Sequence, residues 1–176
     1  MRLPNIRSME TVRIRELASG DSLAVLTRLL HLAYARWGEA GLDFNGVDQP
    51  EDATAARVRQ GICLVAENEG ELVGTLLVHG PLREAPSSYL RRGDAACVQQ
   101  FAVRPDWQGL GVGSTLLALA ERCAGEAAYR QVVLDTAVVA TELVGWYGRR
   151  GYVAVDAMQW PSKSYVSLVL AKNIHP

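Results

Sequence analysis

A surplus of charge of either sign is missing from this chain. Lysine and arginine number 18 against 19 aspartates and glutamates, a net charge of −1. No global basic field therefore exists to collect nucleic acid or an anionic lipid surface. The two basic doublets, Arg91-Arg92 and Arg149-Arg150, read as solvated surface. Cysteine is scarce as well. Cys63 and Cys97 sit in apolar, strand-like runs and Cys123 in a helix-like run, with no metal-ligand spacing among them. Three thiols and no apolar stretch in residues 1–9 argue against a disulfide framework and a secretory leader, and predict a reducing, cytoplasmic setting. No apolar run approaches the roughly 20 residues that span a bilayer, so no membrane partner is expected. Internal repeats and low-complexity segments are also lacking.

What is present suits one domain of 176 residues, 49% apolar and 21% charged. Residues 1–9 read as a flexible N-terminal segment and 10–176 as the domain. Residues 11–17 alternate apolar and polar, a half-buried strand. Ser19-Gly20-Asp21 offers turn and N-cap chemistry, and Leu23, Leu26, Leu29, Leu30 and Ala33 follow at helical spacing to Arg36 or Trp37. Residues 38–50 read as a loop carrying Leu42 and Phe44, a lid or a substrate wall. Residues 51–60 look helical. Strands over 62–67 and 72–78 are joined as a hairpin through Asn68-Glu69-Gly70-Glu71. After a loop over 81–93 come a strand (96–103), an amphipathic helix (114–127), a short strand (131–136) and a helix (141–149) closed by Gly151. Two strands, 152–159 and 165–171, end the chain, joined by Trp160-Pro161-Ser162-Lys163. This order predicts a mixed sheet with helices on both faces, an α/β (α+β) fold.

The most informative stretch runs from Gln99 to Ser114. It reads as a strand, a tight turn, a glycine-rich loop and a helix start. Gly109, Gly111 and Gly113 leave backbone N–H groups unshielded at a helix N-terminus, where an anion such as a pyrophosphate binds. A P-loop would need Gly-Lys-Ser/Thr, and Gly113-Ser114-Thr115 has no lysine. A dinucleotide fingerprint would need Gly-x-Gly-x-x-Gly after a first strand, and here the glycines alternate after a later strand, with Pro105 intervening.

The pattern that fits is Gln108-Gly109-Leu110-Gly111-Val112-Gly113 preceded by Val103-Arg104-Pro105. With these residues and its element order, the chain resembles the GNAT superfamily of N-acetyltransferases. The specific match spans residues 96–152 and the coarse one nearly the whole chain. The resemblance implies a mostly antiparallel sheet of six to seven strands, splayed between the strands near 96–103 and 131–136. It implies acetyl-CoA as donor, its pyrophosphate on the N–H groups of Gly109, Leu110, Gly111, Val112, Gly113 and Ser114, with Gln108 also among the cofactor-binding residues. The pantetheine arm would lie in the splay against backbone of Phe101, Ala102 and Val103, with a bulge near 99–101 turning polar groups toward the thioester. Phe101 and Val103 would themselves be core side chains. A homodimer is compatible with the resemblance, though no residue points to an interface.

Leu143-Val144-Gly145-Trp146-Tyr147-Gly148-Arg149-Arg150-Gly151-Tyr152 is similar to the family's tyrosine-bearing helix. In that role Tyr147 protonates the leaving thiolate; the alternative is a core tyrosine. The family often has Asn seven residues before the tyrosine and Ala four before, where this chain has Ala140 and Leu143. Thr141 or Thr136 is then the replacement contact to pantetheine, unless either simply caps an element.

The proton acceptor is harder to place. Family members often carry Glu where this chain has Gln99 and Gln100. A glutamine is no base, but Gln100 can hold a water or orient substrate. Asp94 and Asp135 are the nearest acids, Asp135 being equally a site residue or a loop cap. His31, on an apolar helix face, reads as structural, and His79 serves only if the fold brings it in. Glu39, Asp43 and Asp48 with aromatics in residues 37–48 would suit a cationic or aromatic amine, with Trp160 and Tyr165 candidates for the same cleft. The leading expectation is acetyl transfer to a primary amine of a small molecule by direct attack in a ternary complex. Alternatives are a protein N-terminus or lysine as acceptor, and a non-catalytic acyl-CoA-binding module. A loop over 38–50 that covers the cleft would disfavour a protein acceptor.

Overall fold

The computed structural model describes residues 7–174. One seven-stranded sheet has the order β1-β2-β3-β4-β5-β7-β6. Its strands are β1 (Arg13–Glu16), β2 (Gly61–Asn68), β3 (Glu71–His79), β4 (Ala95–Val103), β5 (Gln131–Ala137), β6 (Val153–Met158) and β7 (Ser167–Asn173). Six helices accompany them: α1 (Leu23–Glu39), α2 (Asn45–Asp48), α3 (Glu51–Val58), α4 (Ser88–Arg91), α5 (Val112–Glu126) and α6 (Thr141–Gly148). Every neighbouring pair is antiparallel except β4 and β5, which are parallel. A parallel pair needs a crossover, and α5 supplies it.

Hydrophobic spacing dictates which face each helix covers. Leu116, Leu117, Ala120 and Ala124 of α5 pack on Leu64, Val73, Leu76 and Val132. On the opposite face Leu26 and Leu29 of α1 meet Val65, Leu72 and Leu77. A third group joins Leu90 of α4 to Cys97, Val133 and Val169. Helices thus lie on both faces, as the alternation of sheet residues requires.

Some local expectations need correction. The cap of α1 is Ser22, whose hydroxyl accepts from Val25 N–H at 3.3 Å, not the residues just before it. Asp21 instead accepts the Ala18 N–H at 2.7 Å and grips Arg15 at 2.6 Å. The loops over 38–50 and 81–93 each contain a four-residue helix, α2 and α4. Of residues 1–9, read as flexible, 1–6 lie outside the described residues. Arg7 pairs with Asp106 at 2.7 Å, and Met9 opens a short 3-10 turn through Thr11 and packs on the core.

Two irregularities of β4 open the sheet at its centre. The strand pairs with β5 only from Ala95↔Gln131 to Cys97↔Val133, although β4 runs on to Val103 and β5 to Ala137. Beyond Cys97 the strands part. On the other side, Leu77 faces Gln99 and Thr75 faces Ala102, so Gln100 and Phe101 share one partner, Leu76. Gln100 takes φ +47° to absorb the extra residue, a β-bulge.

Candidate active site

The gap between β4 and β5 opens into a cleft of about 550 Å³. Its floor is Phe101, Ala102 and Val103 of β4 with Asp135 and Thr136 of β5. Arg104 N–H donates to Val73 on β3 at 2.9 Å, so strand alternation turns the amides of Val103 and Phe101 into the gap. Both carbonyls already have partners there: Tyr34 Oη donates to Phe101 O at 3.0 Å, and Gln108 Nε2 to Val103 O at 3.0 Å. Phe101 and Val103 pack on the α5 core while lining the cleft, so they are wall as well as core.

At one end lie Gln108, Gly109, Gly111, Gly113 and Ser114. The three glycines differ in what they do. Gly109 (φ +77°) and Gly111 (φ +96°) hold left-handed backbone, and Gly111 caps α5 with no side chain over its N–H groups. A Cβ on Gly113 would sit at ordinary contact distance, 3.5 Å, from Phe101 and Val103, so neither protein packing nor dihedral demands glycine there. Leu110 is exposed and Val112 is core, and neither is among the residues lining the cleft. Arg149 and Arg150, expected as solvated surface, both line this end of the cleft. Arg150 is half-buried: its guanidinium lies 3.5 Å over the Trp146 ring and donates to Trp146 O (2.9 Å) and Ser114 Oγ (2.6 Å). It has no carboxylate partner among the described residues. A cation locked beside an open helix N-terminus suits a phosphate group.

The middle of the cleft holds Tyr147, only 7% exposed. Trp146 (5.1 Å, edge-on), Tyr152 (5.6 Å) and Phe101 (6.4 Å) surround its ring. Burial pushes its hydroxyl well above the ordinary phenol range, so it stays protonated and available as an acid. Asp135, across the splay, has its carboxyl raised by burial, against the hydrogen bond from Trp160. The Trp160 Nε1–H to Asp135 distance is 2.9 Å. Thr136 lines the cleft with a buried hydroxyl that has no partner, whereas Thr141 is exposed and off the lining. Gln100 is 7% exposed at the bulge, its amide unpartnered, and it is not part of the lining.

The other end is roofed by aromatic side chains. Phe44 packs on Trp37 (5.9 Å), Tyr34 (5.7 Å) and, from across the cleft, Tyr165 (5.1 Å). Asp43 accepts from Ser164 Oγ at 2.7 Å, and Lys163 Nζ donates to the Asp43 carbonyl. Of the acids expected here, Asp43 is therefore engaged in the roof, while Glu39 and Asp48 are exposed and off the lining. Asp94 pairs with Arg92 at 2.8 Å beside the start of β4, at the far end from the glycines. His31 Nε2 lies 2.9 Å from Gln49 O, a structural contact. Sequence reasoning missed Tyr34, whose place on the apolar stripe of α1 one step after Ala33 was the only signal. No cluster of metal-ligating side chains occurs among the described residues, and none of their helices is long and apolar enough to cross a membrane.

A family model described as "Acetyltransferase (GNAT) family" matches residues 26–152. The S-(2-succino)cysteine N-acetyltransferase of Bacillus subtilis (strain 168) is 26% identical over 151 residues, 85% of this chain and 88% of that protein. Mycothiol acetyltransferase of Cellulomonas flavigena is 36% identical over 102 residues, 56% of this chain and 29% of that protein. A GNAT family acetyltransferase from Elizabethkingia anophelis, solved with acetyl-CoA bound, superposes with a TM-score of 0.67 at 16% identity, covering 93% of this chain and 99% of that one. The splayed β4–β5 pair, the glycine cradle and the family match over 26–152 converge: this chain belongs to the GNAT acetyltransferase family, an acyl-CoA-dependent N-acetyltransferase with acetyl-CoA as its cosubstrate.

Proposed function

We propose that the acceptor is a primary amine of a small molecule, acetylated by direct attack in a ternary complex. The roof carries this reading. Residues 43–44 and 163–165 meet over the acceptor end through Phe44–Tyr165 and Asp43–Ser164. A polypeptide acceptor needs an open groove, and this closure leaves a chamber instead. The names of the two relatives, which specify succinocysteine and mycothiol acetylation, point the same way.

Within this reading the pyrophosphate lies on the N–H groups of Gly109 to Ser114, with Arg150 against a phosphate oxygen. Pantetheine fills the splay along Phe101, Ala102 and Val103, near the Thr136 hydroxyl. The neutral amine attacks the thioester carbon, forming a C–N bond; the C–S bond breaks and the thiolate takes the Tyr147 proton. The amine's proton passes to Asp135, whose raised basicity suits it as acceptor, directly or through one water. Gln100, shaping the bulge, orients backbone toward the thioester oxygen. Three free thiols accord with a reducing cytoplasm.

The test is an amine panel of small molecules and N-terminal peptides, monitored by release of the CoA thiol. Turnover of small amines, lost in Tyr147→Phe, is the expected result. Turnover of peptides alone would overturn the reading.

A further inference from the structure

Two carboxylates line the cleft, Asp135 and Glu142, and they are held in opposite ways. Glu142 is exposed and pairs with Arg36 of α1 at 3.1 Å. Asp135 is half-buried and pairs with no cation among the described residues. Its side-chain hydrogen bond there comes from Trp160, whose Nε1–H donates to Oδ2 at 2.9 Å. Oδ1 is left open. The titratable groups around Asp135 are Tyr34 of α1, Cys97 of β4, Tyr147 of α6 and Tyr165 before β7, none of them a cation. Burial drives an unpaired carboxyl toward its neutral form, so the indole N–H is the group that favours its charge.

The contact is the product of three strands. Asp135 on β5 and Asp156 on β6 both pair with Val169 of β7, one from each side. An indole that follows β6 must therefore cross β7 to reach Asp135. It does so on an apolar bed, packed against the buried cluster of Cys97, Val133, Met158 and Val169. The turn that carries it is fastened further on. Lys163 N–H donates to Trp160 O at 3.0 Å, Ser164 Oγ donates to Asp43 at 2.7 Å, and Tyr165 packs on Phe44 at 5.1 Å. The indole is thus gripped by the sheet on one side and by the roof on the other. A donor locked by packing in this way fixes the group it touches.

We propose that Trp160 is a positioning residue for acetyl transfer: its indole N–H occupies Asp135 Oδ2 and holds the carboxylate in the cleft wall, leaving Oδ1 to take the amine's proton. This deepens, and rests on, the reading of Asp135 as proton acceptor. Trp160 lies off the cleft lining, so it acts through Asp135 and not on the substrate.

The test is the pH profile of kcat/KM at saturating acetyl-CoA, the probe being whichever small amine of the panel turns over fastest. Trp160→Phe keeps an aromatic ring on the cluster and removes the N–H. A hydrogen bond to a charged group biases an equilibrium by about tenfold or more, so the acid limb should move up by about one pH unit or more. The Kd for acetyl-CoA should stay within about twofold, which also reports that the variant folds. In an Asp135→Asn background the same substitution should change nothing further. A loss of rate at every pH with the limb unmoved would assign Trp160 to packing and overturn the inference. An equal loss in the asparagine background would overturn it too. Should Trp160→Phe fail to fold, the wild-type protein decides by NMR with isotopically labelled indole nitrogens. One of the four tryptophan N–H signals should titrate at the pH of the acid limb and hold still in Asp135→Asn. Indole signals blind to that pH would overturn the inference. Failure of the underlying reading is separate: Asp135→Asn then keeps the wild-type rate and profile, whatever the indole signals do.

Discussion

At the glycine end of the cleft the groups on offer are mainly backbone, and at the roofed end they are side chains. The glycine loop offers N–H groups at a helix start capped only by Gly111, with Arg150 pinned beside it by Trp146 and Ser114. The roofed end is assembled from three distant pieces of chain: Tyr34 and Trp37, the turn at Asp43 and Phe44, and residues 160–165 after β6. A common cofactor fragment can be met by geometry that any sequence with the right glycines supplies. A particular amine has to be met by named functional groups, each held by its own packing. The difference predicts that damage at the first end is severe and indifferent to acceptor, and that damage at the second is milder and acceptor-dependent.

The strongest way to break this contrast is Gly111→Glu. It forces a side chain into left-handed backbone at φ +96° and places a carboxylate where a phosphate belongs. Saturable acetyl-CoA binding by calorimetry should vanish, a loss of at least about 100-fold, or about 2.7 kcal/mol. Wild-type-like binding would show that the cradle is elsewhere. Next comes Tyr147→Phe, which keeps the ring packing on Trp146 and Tyr152 but removes the proton. General-acid contributions run to about 10²–10⁴-fold, so kcat should fall by that order while the Kd for acetyl-CoA stays within a few-fold. An equal loss in affinity would assign Tyr147 to packing alone.

Much of the first end was legible in the chain and little of the second. The alternate glycines, the stripe Leu26-Leu29-Leu30-Ala33, the paired strands around Gly70 and the tyrosine helix all follow from local spacing, and local spacing is what a sequence displays. The mixed sheet with helices on both faces followed from their order. Tyr34 sat unnoticed because its meaning depends on how α1 sits on the sheet. Arg150 was misread because a basic doublet carries no mark of the indole it stacks on. Asp135 stood out by position as one of the two nearest acids, but its contact with Trp160, 25 residues away at 2.9 Å, exists only in the folded chain.

Asp135 sharpens the comparison through pH. Burial raises its carboxyl above the ordinary range, so the basic form is lost at a higher pH than for an exposed aspartate. As a base it must be ionised. kcat/KM should therefore fall as pH drops through that raised value and level off above it, and Asp135→Asn should lower the rate by about 10²-fold and remove the acid limb. An unchanged profile in the asparagine variant would assign the limb to the amine itself.

The smallest effect tests the roof. Phe44→Ala removes the ring that bridges Tyr34 and Trp37 to Tyr165, and aromatic pairs of this kind are worth about 0.5–1.5 kcal/mol each beyond the area they bury. Phe44 lines the cleft at the acceptor end, far along the wall from Gly109 and Gly111. The acceptor KM should rise by about 2–13-fold, the range those energies convert to, with the Kd for acetyl-CoA unmoved. Adding a short peptide amine to the same assay turns a modest number into a decisive one. If closure of the roof is what excludes polypeptides, opening it should raise peptide turnover while lowering that of the small amine. A parallel fall for both would mean that Phe44 supports the chamber without gating it, and the acceptor end would then discriminate by its charged groups alone.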